Sequence, residues 1–213
     1  MPNSGLVRRS YNFDIRASEE NDGVVELTGR PIVYNSRTDL GWFDEIIMPG
    51  ALDGADLTDV RFLVNHDTKM IPLARSRRNN ARNNTMQLST DAMGMSMDWI
   101  RLDVKNNEKS RALASAVSRG DMTGMSFMFS IDGEEWEDLE SDHPTRKITK
   151  IGSVVEISAV TFPAYEATEI NERCKQALDS ARAALDSARR DRSKSLDSDL
   201  ELLKEKTKIL CGM

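Results

Sequence analysis

The chain has 213 residues, 39% of them hydrophobic and 30% charged, with a formal net charge of −6. That length suits one domain of the common size, about 100–150 residues, with an appendage. No apolar run approaches the roughly 20 residues that span a bilayer, and no apolar core of a secretory signal follows Arg8-Arg9, so no membrane partner is expected. An acidic balance weighs against a nucleic-acid partner, because such binding rests on neutralising phosphates; Arg75-Ser76-Arg77-Arg78 reads as a solvated loop.

Tyr11, Phe13 and Ile15 alternate with Asn12, Asp14 and Arg16, and Val25, Leu27, Ile32 and Tyr34 continue the pattern across Gly29-Arg30-Pro31. Period-two alternation predicts half-buried strands, with a bulge or turn at the glycine. In Trp42 to Leu52 the Pro49-Gly50 pair predicts a turn, and Val60 to Val64 leads as a short apolar strand into Asn65-His66-Asp67. Asn79 to Asn84 is a loop by composition; Met86 and Leu88, then Met93, Met95, Met97 and Trp99, predict strands joined by a hairpin near Thr90-Asp91.

Between Asn106 and Gly120 the period becomes helical: Leu113, Ala116 and Val117 share a face, Asn106 or Asn107 can cap the start, and Gly120 suits the stop. Met125, Phe127, Phe129 and Ile131 then alternate with Ser126, Met128 and Ser130, and Val155, Ile157 and Ala159 with Glu156 and Ser158. Ser126 and Glu156 therefore fall on the less apolar faces of two strands. Beyond Pro163 the sequence Ala-Leu-Asp-Ser-Ala-Arg occurs twice, at 177–182 and 184–189. Leu178, Ala181, Leu185 and Ala188 form a thin stripe that resumes at Leu196, Leu200 and Leu203, too interrupted for a sustained coiled coil. A partner-binding or removable helical tail is expected there.

Only His66 and His143 can serve a histidine-dependent mechanism. His143 sits in the polar, proline-flanked stretch Ser141-Asp142-His143-Pro144, where a solvated turn residue is the ordinary reading; His66, at the end of an apolar strand, is the better base. A serine hydroxyl becomes a nucleophile when an imidazole takes its proton and a third group fixes the imidazole tautomer. Ser126, His66 and Glu156 supply those types, but spacing alone does not bring them together. The plain alternatives are a small strand residue, a satisfied strand-end histidine and an exposed carboxylate. Asp67 neighbours His66 along an extended strand, where adjacent side chains diverge, so turn capping is its expected role. His-Glu-x-x-His, paired cysteines and a glycine-rich phosphate loop are all absent, so no metal or cofactor is expected. Cys174 and Cys211 lie in the tail without a nearby histidine; they are too few for a disulfide framework and suit a reducing compartment.

Leu27-Thr28-Gly29-Arg30-Pro31-Ile32-Val33-Tyr34-Asn35, Glu45 to Leu52, and Val64-Asn65-His66-Asp67 resemble, in order and spacing, the prohead protease family of tailed bacteriophages, of Hong Kong 97-like type. The resemblance continues through Asp91 to Met95, Val117 to Gly120, Gly124 to Phe129 and Val155 to Tyr165. Ala74, before Arg75, and Met128 stand where relatives often carry glycine.

The resemblance implies an α+β, mainly β fold: a β-barrel core with flanking helices, similar to the herpesvirus assemblins, over residues 1–168, followed by a helical, charged tail over 169–213. It implies a serine endopeptidase that digests phage scaffold, coat-protein extensions and itself inside the immature procapsid in the host cytoplasm. His66, Ser126 and Glu156 inherit the base, nucleophile and orienting-acid positions. Since assemblins pair their serine with two histidines, His143 ranks behind Glu156 as third member, and Asp67 behind both. By fold analogy a homo-oligomer is conceivable. The alternative is a catalytically inactive capsid-assembly or scaffolding protein that binds partners through its helical tail.

Overall fold

The computed structural model of the chain describes residues 6–12, 15–77, 84–161, 174–192, 194 and 203. Its strands are β1 (Val7–Asn12), β2 (Arg16–Ala17), β3 (Val24–Val33), β4 (Arg37–Asp39), β5 (Asp44–Ile47), β6 (Asp59–Val64), β7 (Ala74–Arg77), β8 (Met86–Asp91), β9 (Gly94–Asp103), β10 (Gly124–Glu137) and β11 (Thr145–Val160). Helix α1 (Glu108–Ser118) separates β9 from β10, and a second helix, α2, covers 174–192. The fold is mainly β, and among the described residues neither of its two sheets closes into a barrel. Phe13, the Asn79–Asn83 part of the expected loop, the Phe162–Tyr165 end of the last motif, Leu196, Leu200 and Cys211 lie outside the described residues.

One sheet runs β1-β10-β11-β5-β4, with β6 also on β11 and β7 on β6; the other runs β2-β3-β9-β8. The long strand β11 organises the first sheet. One edge takes antiparallel β10 along nearly its whole length, while the other takes β5 in parallel at Thr145–Ile148 and then β6 in parallel at Glu156–Ala159. A strand flanked on both edges and covered on both faces has no wet side. Every residue of β11 from Glu156 to Val160 is accordingly buried, the carboxylate included. The expectation of a solvated polar face fails here because Glu156 and Ser158 are enclosed by chain distant in sequence.

The second sheet bulges where glycine predicts it: the β3–β9 register slips between Leu27 and Gly29, and again before Ile32. The hairpin turn follows Asp91, with Met93 and Gly94 donating their N–H groups to the Asp91 carboxylate. Gly94 adopts a φ of 133°, and a Cβ there would lie 2.1 Å from the Ile32 carbonyl oxygen, so only glycine fits. Met95 and Met97 are buried as expected, but Trp99 is not their inward neighbour. Register slips against both neighbouring strands, with the extra residues on β9 between Met97 and Ile100, change the phase, so Ile100 and Leu102 turn inward and Trp99 lies outside beneath the Arg101 guanidinium. Met93 occupies the turn and is exposed.

Asn107 caps α1, accepting from the N–H groups of Lys109 and Ser110, while Asn106 bonds Asp103 instead. Leu113, Ala114 and Val117 form the buried face, and Ala116 is only half-buried. Gly120, at φ 75°, ends the helix with its N–H on Val117 O. The Pro49-Gly50-Ala51-Leu52 motif is structural: Gly50 adopts φ 83°, Ala51 is fully buried, and its carbonyl accepts from Ile151 N–H at 2.7 Å. In α2, Leu178 and Cys174 are buried with Phe43, and Arg182 donates to the carbonyls of Leu139 and Ser141. The front of the apolar stripe is thus covered by the chain's own β10–β11 hairpin, while Ala188 is exposed.

Candidate active site

Ser126 lies on β10 directly opposite Ser158 on β11, and Glu156 is opposite Met128. Facing residues share a side of the sheet, as do residues two apart, so Ser126, Ser158 and Glu156 project from one face. A register slip between Met128/Glu156 and Phe129/Val154 leaves Val155 unmatched beside the carboxylate, the kind of bulge that re-aims a side chain.

His66 arrives from the opposite edge. Strand β6 ends at Val64, and Asn65 and His66 both take left-handed backbone conformations, with φ of 50° and 56°. Consecutive non-glycine residues there are costly, roughly 1–3 kcal/mol each, and persist only where surroundings hold them. The clamps are specific. Asn65 N–H donates to Ala159 O at 2.9 Å, its side chain bonds Thr161, and His66 N–H donates to Ser158 Oγ at 3.2 Å. The reversal carries the imidazole over the face bearing the two serines and the glutamate.

There His66 Nδ1 lies 3.0 and 2.8 Å from the two oxygens of Glu156, and Nε2 lies 2.6 Å from Ser126 Oγ. A carboxylate only accepts, so Nδ1 carries the hydrogen and a neutral ring directs the Nε2 lone pair at the serine hydroxyl. Exposure is 0% for Ser126, 5% for His66 and 4% for Glu156, so the hydrogen bonds form with little competition from water. Ser158, also fully buried, donates its hydroxyl to Glu156 Oε1 while accepting from the His66 N–H, tying the acid and the histidine backbone together. Ser126 Oγ has one more neighbour: the carbonyl oxygen of Arg9 on β1, at 2.9 Å.

The remaining sequence candidates sit elsewhere. Asp67 accepts from Lys69 N–H as a turn cap, the role expected of it. His143 is exposed in the β10–β11 turn, with Nε2 3.3 Å from Asp44 and 3.7 Å from Asp39. Arg75 to Arg77, expected in a solvated loop, instead form β7 on β6 with Ser76 buried, and Arg75 is engaged by Asp59, whose carboxyl this guanidinium holds below its ordinary range; Arg78 lies outside the described residues. Burial pushes the Cys174 thiol up, away from the reactive thiolate.

Two participants escaped the sequence reading. Ser158 was legible in principle, since Glu-x-Ser on a strand puts both side chains on one face. Arg9 carried no local signal, because its contact with Ser126 spans 117 positions.

Among curated proteins and solved structures nothing matches the chain. The family model described as caudovirus prohead serine protease matches residues 11–182, a span that holds Ser126, His66, Glu156 and Ser158. With that match over most of its length, the chain belongs to the caudovirus prohead serine protease family.

Proposed function

We propose that the chain is a serine endopeptidase in which Ser126 is the nucleophile, His66 the general base and Glu156 the orienting acid. Family membership implies a serine protease that acts on phage capsid proteins inside the procapsid, in the host cytoplasm. The observation that carries the residue assignment is the buried, continuous hydrogen-bond chain from Ser126 Oγ through the imidazole to Glu156.

In this reading Ser126 Oγ attacks the scissile carbonyl carbon as its proton passes to His66 Nε2. Collapse of the tetrahedral intermediate breaks the C–N bond, and the imidazolium returns the proton to the departing amine. A water molecule, deprotonated by the same nitrogen, then attacks the acyl ester and restores the serine. Glu156 keeps the proton on Nδ1 and balances the imidazolium charge while it exists. Ser158 holds one Glu156 oxygen and the His66 backbone, so the ring turns little between steps.

The substrates in this proposal are scaffold, coat-protein extensions and the chain itself, with high local concentration inside the shell favouring cleavage between molecules. The assemblin-like relationship, a tail over 169–213 that recruits the enzyme to scaffold or is removed by it, and self-association belong to the same reading. The test compares wild type with Ser126→Ala, each alone and mixed with scaffold and coat protein, by intact mass over time. New N-termini only with wild type are expected. Whole chains in every mixture would favour a non-enzymatic assembly role, and equal clipping of both would remove Ser126 from the chemistry.

A further inference from the structure

Strand β1 is an edge strand of the first sheet, pairing antiparallel with β10 from Val7↔Phe129 to Asn12↔Gly124. Ser126 is hemmed by β11 on one edge of β10 and by His66 on its face, so β1 is the element whose departure would open it. The strand holds Arg9 so that its carbonyl oxygen accepts from Ser126 Oγ. A hydroxyl has one hydrogen, and in this arrangement His66 Nε2 and Arg9 O compete for it. The approach is also to the carbonyl oxygen, whereas attack needs Oγ over the carbonyl carbon. So β1 sits on the nucleophile without being set up for cleavage.

The Arg9 side chain is buried too. Its Nε and Nη2 engage both oxygens of Glu45, the latter at 2.7 Å, and Glu45 is 1% exposed. Arg146 reaches the same carboxylate only at 3.4 Å and is drawn to Glu134 as well. A buried carboxylate that takes the forked guanidinium of the same residue whose backbone carbonyl is held by the proposed nucleophile is built to receive a basic side chain on an extended strand. Val7 to Ser10, the part of β1 that carries Arg9, precede the matched span of 11–182.

Resting on the protease reading above, we propose that the β10 edge beside Ser126 is the substrate site. It takes an extended peptide antiparallel to β10, with an arginine or lysine on Glu45, and β1 fills it in cis as a pseudosubstrate. Productive binding requires β1 to leave.

Fluorescence anisotropy with a labelled copy of Val7–Asn12 tests this on the full chain carrying Ser126→Ala, so that binding is read without cleavage. Peptides with lysine, alanine or glutamate at the Arg9 position serve as comparisons. With Arg9→Ala added to weaken the cis strand, the arginine and lysine peptides should bind at least about thirtyfold tighter than the alanine one, the scale of losing one partner of a buried charge pair. In a second protein Arg9 is kept, and Arg8→Cys with Met128→Cys, a facing pair, locks β1 to β10 by a disulfide. The locked form should bind none of the peptides, and reduction should restore binding; this comparison stands even if Arg9→Ala fails to fold. Binding unaffected by the lock, equal binding of all four peptides, or no binding to the reduced protein would overturn the proposal. Binding as expected, in a wild type that cuts no capsid protein, would instead sink the protease reading and leave this site standing.

Discussion

The two histidines sit at opposite ends of one long hairpin, and both have carboxylates for company. At the end away from the turn, His66 lies over the Ser126–Ser158 pair of β10 and β11, bonded to Glu156 and nine-tenths or more buried. At the turn, His143 stands between the same strands, near Asp39 and Asp44, facing solvent. Residue types alone do not separate these places. The differences are a serine hydroxyl on the far nitrogen, a backbone forced into left-handed geometry by Ala159, Thr161 and Ser158, and exclusion of water by strands on both sides. An exposed histidine–carboxylate contact is worth a few tenths of a kcal/mol up to about 1 kcal/mol, whereas a buried, aligned one can fix a tautomer and a charge.

That contrast is open to breaking at the buried end. Glu156→Gln preserves shape but presents an amide N–H to Nδ1, which favours the tautomer whose Nε2 cannot accept from Ser126. A fall in kcat of about 10⁴-fold with KM little changed is expected, by analogy with triads whose acid is amidated. A kcat within a few-fold of wild type would remove Glu156 from the mechanism. Ser158→Ala takes one donor from Glu156 and leaves the His66 N–H unsatisfied in a buried setting. A loss of about 1–3 kcal/mol in transition-state stabilisation follows, roughly fivefold to 150-fold in kcat, with partial rescue by Ser158→Thr. An equal drop in thermal stability with no change in kcat would make Ser158 purely structural. At the exposed turn, His143→Ala should change neither kcat nor unfolding free energy beyond about 0.5 kcal/mol.

The same hairpin shows how far the sequence could be read. Alternation placed Phe127 and Phe129 in the core and Ser126 on the other face, because that periodicity is local and survives wherever the strand docks. It could not show that the polar face is buried, since its cover comes from β6, β1 and the His66 reversal, all distant in sequence. Trp99 was misplaced because bulges change the phase of a strand without changing its composition. The stripe through Leu178 was legible as amphipathic, but not what it covers, because Phe43 lies on a distant loop. The three residues of the proposed triad were singled out through resemblance to a family; the unaided pattern left each with an ordinary structural explanation. The β1 strand over Ser126 was not legible at all, for a backbone carbonyl has no side-chain signature.

In the proposed enzyme, burial and alignment, not residue type, make Ser126 the nucleophile and His66 its base. Mass mapping after reaction with a fluorophosphonate, which phosphonylates activated serine hydroxyls, tests it most directly. Wild type and His143→Ala should each acquire one adduct, on Ser126, while His66→Ala acquires none over the same time. An adduct on another residue, or undiminished labelling of Ser126 without His66, would contradict the account.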